Sequence, residues 1–442
     1  MNNNAAAQGG GGKMMNFGIK VDKQTGSGAY KLTLVSESIT PWENDLVSHD
    51  ATAKEYVVIN STKGHLKEAI AAANKDYTKI KNLKITGEIS AQDFYFMRDS
   101  MENLAALNLK EVIIRGGEQR LTGGAQGVYP HNDYEIPYEA LRGKKSLNLL
   151  VLPDKLTKIG IAAFADDQNI TGSLIIPEGV TEIEVGAFYD CRSMNGTLSL
   201  PSTLKYLGRG IDLWWYGGVF TYCGFTSELI LPNNLECIAG NNTFAGCEGL
   251  HGELRFPEKL TEISDGAFNG CKSLTGSITI PQGVHKLPTS VFQFCDNLNG
   301  TLTLPDGITS IGYNCFQGCA LKGELKLPKN LTVIADEVFN GCDFSGELVL
   351  PKTIRSIGKR AFANNWRLMG IVEFPEGLQS IGAGAFANCR MIEGLVFPES
   401  LESIRAENSY NEDGGAFQGC YGINSIVKVI CLLMYKIKFS MA

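Results

Sequence analysis

Two stretches decide the architecture: IPEGVTEIEVGAFYDC at residues 176–191 and FPEGLQSIGAGAFANC at residues 374–389. Each opens on an apolar residue and a proline, passes through Val or Leu and then Ile, and closes on Ala-Phe-x-x-Cys. The same frame recurs at Pro153, Pro177, Pro201, Pro232, Pro257, Pro281, Pro305, Pro328, Pro351, Pro375 and Pro398, at intervals of 23 to 25 residues with a single interval of 31. A fixed period in the twenties is one supersecondary unit copied and stacked, each copy packing on its neighbours.

Within one unit, the residues before the proline alternate apolar and polar. Leu174, Leu198, Leu254, Ile278 and Leu302 stand three before it, and Ile176, Leu200, Phe256, Ile280 and Leu304 one before it. Period-two alternation ended by proline predicts a short strand, because proline removes a ladder donor. A strand this short needs its copy in the next unit, about 4.8 Å away. Downstream runs a phenylalanine column: Phe164, Phe188, Phe220, Phe244, Phe268, Phe292, Phe316, Phe339, Phe362, Phe386 and Phe417. It predicts a continuous core spine. The glycines flanking the strand suit corners of positive φ.

Nine of the twelve cysteines fall three residues after that Phe, from Cys191 to Cys420, while Asp167 and Asn365 take the slot in two other units. Cys237, Cys315 and Cys431 stand outside the column. A slot shared with Asp and Asn predicts buried free thiols that hold a turn, behaving as small apolar side chains. Disulfides between rungs and a metal site are the alternatives.

The "IP…L/V-x-x-I-G…AF-x-x-C" cycles resemble the BspA-like leucine-rich-repeat family of bacterial surface proteins, over roughly 130 to 425. The resemblance implies a β-rich, right-handed leucine-rich-repeat solenoid, here of about eleven turns, with an α/β N-terminal capping region. It implies a cell-surface or secreted protein that binds host proteins or other cells without catalysis. The division expected is a flexible tail (1–18), a capping region with the first helix-containing repeats (19–130), the solenoid (131–425) and a C-terminal strand or tail (426–442). In the capping region, strands are expected at Ala29–Val35, Glu55–Asn60, Lys81–Thr86 and Leu104–Arg115, and helices at His65–Asn74 and Ala91–Met101. Residues 116–135 show no pattern. Pro137–Pro153 reads as a degenerate turn with Leu141 in the Phe position and Lys144 in the Cys position.

Composition narrows the partners. Net charge is −7 with no basic block, so nucleic acid is not expected. The stretch IVKVICLLMYKIKF (426–439) is too short, and too interrupted by lysines, to span a bilayer; it reads as a last strand. No secretory signal stands out in MNNNAAAQGGGGKMMNFG. The five histidines fall in no metal-ligand spacing, and no nucleophile or phosphate-loop motif follows a strand. No cofactor is expected, and no catalytic residue. Glu228, Glu253, Glu324 and Glu347 recur four before proline, which reads as a solvated strand face rather than a glycosidase pair.

Two interruptions of the period mark the candidate binding residues. One adds residues between Leu207 and Phe220 (GRGIDLWWYGGV), the other between Ile404 and Phe417 (RAENSYNEDGGA). Insertions at one corner of a solenoid often map to its binding face. Trp214, Trp215, Tyr216, Arg209, Asp212 and Tyr410 are therefore the candidate ligand-binding residues, the aromatics serving as anchors for a protein or a glycan. The alternative for the tryptophans is packing back on the neighbouring unit. The outward strand columns form a second candidate surface. A protein partner is expected first, a glycan second; a spacer that presents the N-terminal region is the third reading.

Overall fold

The structure is a computed structural model that describes residues 18–23, 30–35, 55–120, 128–210, 217–404 and 415–427. The chain divides into two compact units, Met1–Lys54 and Glu55–Ala442. In the first, strand β1 (Gly18–Lys23) pairs antiparallel with β2 (Tyr30–Val35), the latter on the expected AYKLTLV run.

The second unit opens with helix-bearing turns. Strands β3 (Val57–Ser61), β4 (Asn82–Ile89) and β5 (Ala106–Asn108) stack in parallel on one another and on Leu149–Val151, with Val57, Leu83, Leu107 and Leu150 in register. The expected strand over 104–115 is broken in two, because Val112 donates back to Leu109 in a turn before β6 (Val112–Ile114) pairs with β4. Helices Leu66–Ala72 and Ala91–Ser100 occupy the place that the Phe corner takes later, burying Leu66, Ile70, Phe94 and Met97 completely. One carboxylate fixes both helix starts. Asp93 accepts from the amides of Ser90 (2.8 Å), Gly64 (2.8 Å) and Leu66 (2.9 Å), a capping box shared between two turns. The segment thus supplies coils of the same solenoid, which has about fourteen turns, three more than the prolines count. Two of those three lack the proline clock because a helix, not a corner, follows the strand, and in the third the chain after β5 runs into β6 instead. Residues 117–120 and 128–131 pair as an antiparallel hairpin that the sequence did not suggest.

From Pro153 onward the units contribute two short parallel strands each, except that the segment before Pro232 makes a single bridge, Glu228 with His251. The pre-proline strands pair as expected, Leu174 with Leu198 and Ile278 with Leu302. A second ladder forms six residues after each proline. Ile136, Ile159, Ile183, Leu207, Ile238 and Ile263 stack in one six-stranded sheet, and Ile334, Ile357, Ile381 and Ile404 in a later one. These strands are mostly two residues long, so there was no alternation to read. At the start of the pre-proline segment, Gly172, Gly252, Gly276, Gly323, Gly346 and Gly370 hold φ of 75° to 92°, as the corner requires.

The interior is the phenylalanine spine. Ten successive ring pairs from Phe164 to Phe417 lie 5.1–5.7 Å apart with interplanar angles of 5–25°. Burying each ring is worth roughly 1.5–3 kcal/mol. After Pro398, Ser425–Val427 pairs with Met391–Val396 as the expected last strand; the rest of 426–439 lies outside the described residues.

Candidate functional site

The corner that carries Phe and Cys is also where the sequence places its insertions, and its chemistry is backbone-driven. From Phe164 to Phe386 the amide of each column Phe donates to a carbonyl of the following turn, Phe164 to Ala187 (2.8 Å) and Phe292 to Cys315 (2.8 Å) among them. Two residues on, a second amide does the same, as from Asp190 to Thr221 (2.9 Å) and from Tyr222 to Ala245 (2.8 Å). The thiol closes the corner from the other side. The Sγ of each column cysteine donates to the Phe carbonyl of the preceding turn at 2.9–3.3 Å, from Cys191 on Phe164 to Cys420 on Phe386.

The substituted slots obey the same rule. Asn365 reaches the Phe339 carbonyl with Nδ2 (2.8 Å), and Lys144 reaches back to Met101 at the end of the helix with Nζ (2.7 Å). Asp167 instead accepts from the Lys144 amide, and its Oδ2 is buried without a partner. Burial pushes its carboxyl well above the usual range. All eleven described cysteines are free, and burial pushes Cys247 and Cys295 up to about 12. These thiols are structural donors, not nucleophiles. Among the described residues no cluster of His, Cys, Asp or Glu is arranged to hold a metal ion.

Two residues after the Phe, every turn from Asp166 to Gly419 holds φ between 58° and 75°. Glycine fills this column at five turns and Asp or Asn at four, the residues that tolerate left-handed backbone. The exceptions are Tyr222 and Phe294, bulky residues in a conformation that disfavours them, each about half exposed. The next turn supplies glycine under each ring. A Cβ on Gly246 would meet Tyr222 Cδ1 at 2.5 Å, and one on Gly318 would meet Phe294 Cδ1 at 3.0 Å. Each ring therefore lies across the neighbouring rung.

Beside this column runs a ladder of side-chain amides. Asn269 Nδ2 donates to Gln293 Oε1 (3.1 Å), Gln293 donates to Gln317, and Gln317 to Glu337. Asn340 also donates to Glu337, and Asn364 and Asn388 extend the chain at 2.9 Å and 2.8 Å. The ladder begins at Asn269 because the preceding turn offers only Ala245 and Gly246. That gap is a cleft of about 390 Å³ between Tyr189 and Tyr222 on one side and Asn269 and Glu248 on the other. A larger cleft of about 540 Å³ at the first corner is closed on itself: Arg142 pairs with Glu139 (2.6 Å) and Asp166 (3.3 Å), and Arg98 donates to the Glu139 carbonyl (2.8 Å).

Of the residues expected from the sequence, Arg209 is exposed on the second ladder, with its guanidinium stacked 3.6 Å from the Tyr206 ring centroid. Trp214, Trp215, Tyr216, Asp212 and Tyr410 lie outside the described residues. The glutamate column faces solvent, with Glu253 paired to Arg255 and Glu324 to Lys326. Sequence reading missed the exposed aromatics of the corner column. Their signal was Tyr222 and Phe294 at a position otherwise Gly, Asn or Asp. A second exposed surface lies on the pre-proline face of the later turns. There Met369 and Met391 are cross-strand neighbours, Ile371 follows on the same strand, and all three are 39–49% exposed.

A family model for the BspA type leucine rich repeat region, in six copies, matches residues 134–211, 216–345 and 299–424, well over half of the chain. The chain belongs to the BspA-type leucine-rich-repeat family. No curated protein matches it. Among solved structures it is similar to a leucine-rich repeat protein from Bacteroides ovatus, at 20% identity over 74% of this chain and 97% of that one, with a TM-score of 0.45. It is also similar to a leucine rich cell surface protein from Faecalibacterium prausnitzii, at 19% identity over 85% and 84%, with a TM-score of 0.38. For the T. pallidum leucine rich repeat protein the figures are 27%, 42%, 69% and 0.28. As a BspA-type repeat protein the chain is a leucine-rich-repeat solenoid, and no described helix is long and apolar enough to cross a membrane.

Proposed function

We propose that this BspA-type protein is a non-catalytic adhesion protein, displayed at the bacterial cell surface or secreted, that recognises proteins of a host or of other cells. The observation that carries the reading is the exposed Met369–Met391–Ile371 patch on a strand face whose inward neighbours, Leu368, Val372 and Ile392, are fully committed to the core. Val349, bridged to Lys326 in the preceding pre-proline segment, and Trp366, just before the strand of Met369, are also more than half exposed. Methionines on an exposed surface adapt to apolar partners, and an aromatic beside them supplies a rigid anchor. The Arg390 guanidinium lies 5.5 Å from the Trp366 ring centroid, a pairing typical of interface rims. The insertions with Trp214, Trp215, Tyr216, Asp212 and Tyr410 are proposed as additional contacts, on their sequence alone.

The test is adhesion of beads coated with the full chain to epithelial monolayers and to bacterial cells, compared with beads carrying the Met369→Lys/Met391→Lys variant and the W214A/W215A variant. Loss of adhesion with the first variant at unchanged Tm supports the patch. Full adhesion by both variants would remove this reading.

A further inference from the structure

Three features of the corner face remain unused by protein adhesion: the two flat aromatic rings, the amide ladder, and the gap at which that ladder starts. We infer that the strip from Tyr222 to Phe294 is a binding site for a neutral, linear glycan lying along the solenoid axis. This strip shares no residue with the Met369–Met391–Ile371 patch, so either site can fail alone.

The rings supply the platforms. Tyr222 lies across Gly246 and Phe294 across Gly318, each with roughly half of its surface open to solvent (49% and 48%). A pyranose ring presents a face of C–H groups whose partial positive charge meets the negative face of an aromatic ring. The two platforms occupy the same column three turns apart, about 14 Å at ~4.8 Å per rung, which accommodates a short run of sugar rings. Between the Tyr222 ring, which lies over Gly246, and Phe294 the column is bare at Gly270, whose added Cβ would meet only the Gly246 backbone at 3.8 Å, so a flat ligand can approach the backbone there.

The polar groups line one side of that track. Asn269 lines the cleft and donates one amide hydrogen to Gln293, and its Oδ1 is of the kind to which a sugar hydroxyl can donate. Gln293 beside Phe294 and Gln317 in the next turn continue the row, held in one orientation by their mutual bonds. Thus the donors and acceptors are preorganised, which reduces the ordering cost of binding. Charge selects the ligand class. Glu248 is neutralised by Lys272 at 2.7 Å, and no unpaired cation of the described cleft lining awaits an acidic sugar. Thr221 and Asn242 complete the wall, their own contacts running within the corner.

The strained backbone separates a ligand role from a packing role. Asn occupies the same column at 364 and 388, with φ of 60° and 62°. Tyr222→Asn and Phe294→Asn therefore place a residue suited to left-handed backbone where an ill-suited one stands. If the rings serve only to cover glycine, these variants lose stability. If they serve a ligand, the variants hold or raise Tm and lose binding.

The experiment uses the full chain against immobilised cellohexaose, mannohexaose and chitohexaose, followed by calorimetry with the member that binds. The expected result is binding of at least one, a tenfold or greater loss of affinity in each Asn variant at equal or higher Tm, and retention in Tyr222→Trp. Absence of binding to all three probes, unchanged affinity in the double Asn variant, or a Tm drop that accounts for the loss would overturn the inference.

Discussion

At the scale of single residues, the cysteine column shows how a side chain is chosen by one hydrogen bond. The slot is buried, small and faces a carbonyl of the preceding turn, so it needs a compact donor; Cys, Asn and even Lys144 meet that need by different reach. Cys295→Ala removes the donor and leaves a small void, and is expected to cost about 1–2 kcal/mol in urea unfolding. Because burial holds these thiols protonated, Ellman's reagent at pH 8 should find almost none in the native protein and all of them after denaturation. Rapid native-state labelling of the column would contradict that placement. Asp167 is the exception, because its ionised form has no proton to donate. Burial keeps its carboxyl protonated to higher pH in the folded chain than the usual 3.8 of the unfolded one. Its contribution is therefore most favourable below pH 3.8 and is lost as pH rises through the window above it. Asp167→Asn restores a donor, as in Asn365, so the variant should melt higher than the parent at pH 7.5 and show a smaller advantage at pH 4.

At the scale of elements, stability resides in stacking between turns rather than in any strand. Phe292 lies between Phe268 and Phe316 at 5.6 Å and 5.4 Å, fully buried, so Phe292→Ala should cost about 3–5 kcal/mol. Phe292→Leu should cost markedly less, because Leu141 already serves that position in the first corner, where its amide donates to Ala163. Chemical denaturation of the two variants in parallel checks the order. In the helix-bearing turns the comparable keystone is Asp93. Removing it by Asp93→Ala orphans buried amides in two helices, and a loss of about 1–3 kcal/mol is expected, read as a lower urea midpoint. The pre-proline strand and the Phe spine were legible because each rests on a strong, local signal: alternation stopped by proline, and an aromatic on a fixed period. The ladder through Ile183 and Ile381 was not, since a two-residue strand has no period of its own. The first three coils hid for another reason. Helices replace the corner in two of them and β6 follows the strand in the third, so the clock that marks the other turns never strikes there.

At the scale of the whole molecule, the same repetition that made the fold readable made the site hard to read. A binding surface on a solenoid is a departure from the consensus, and departures have several physical causes. The two insertions, of equal length, pointed to one corner, between Leu207 and Phe220 and between Ile404 and Phe417. The corner column supplies a second kind of departure, a residue out of place in its backbone conformation, and that kind shows only when φ is known. Tyr222 and Phe294 read in the sequence as ordinary aromatics; with their backbone at +61° and +58° they become positions where folding preference was overridden. Register between turns, by contrast, is set by pairing alone, so it should tolerate loss of an entire unit. Deleting residues 324–346, the 23 residues from one pre-proline segment to the next, joins equivalent points and preserves both ladders, the Phe spine and the Cys bonds. The shortened chain should remain folded, with a modestly lower Tm and an undiminished circular-dichroism signal per residue, because a repeat array is close to a sum of units and nearest-neighbour interfaces. Deleting only residues 324–335 removes half a turn and sets the following proline against a Phe corner, which flips inward residues outward. That chain should fail to fold. Equal stability of the two deletions would mean that stacking in register is not what holds the molecule together.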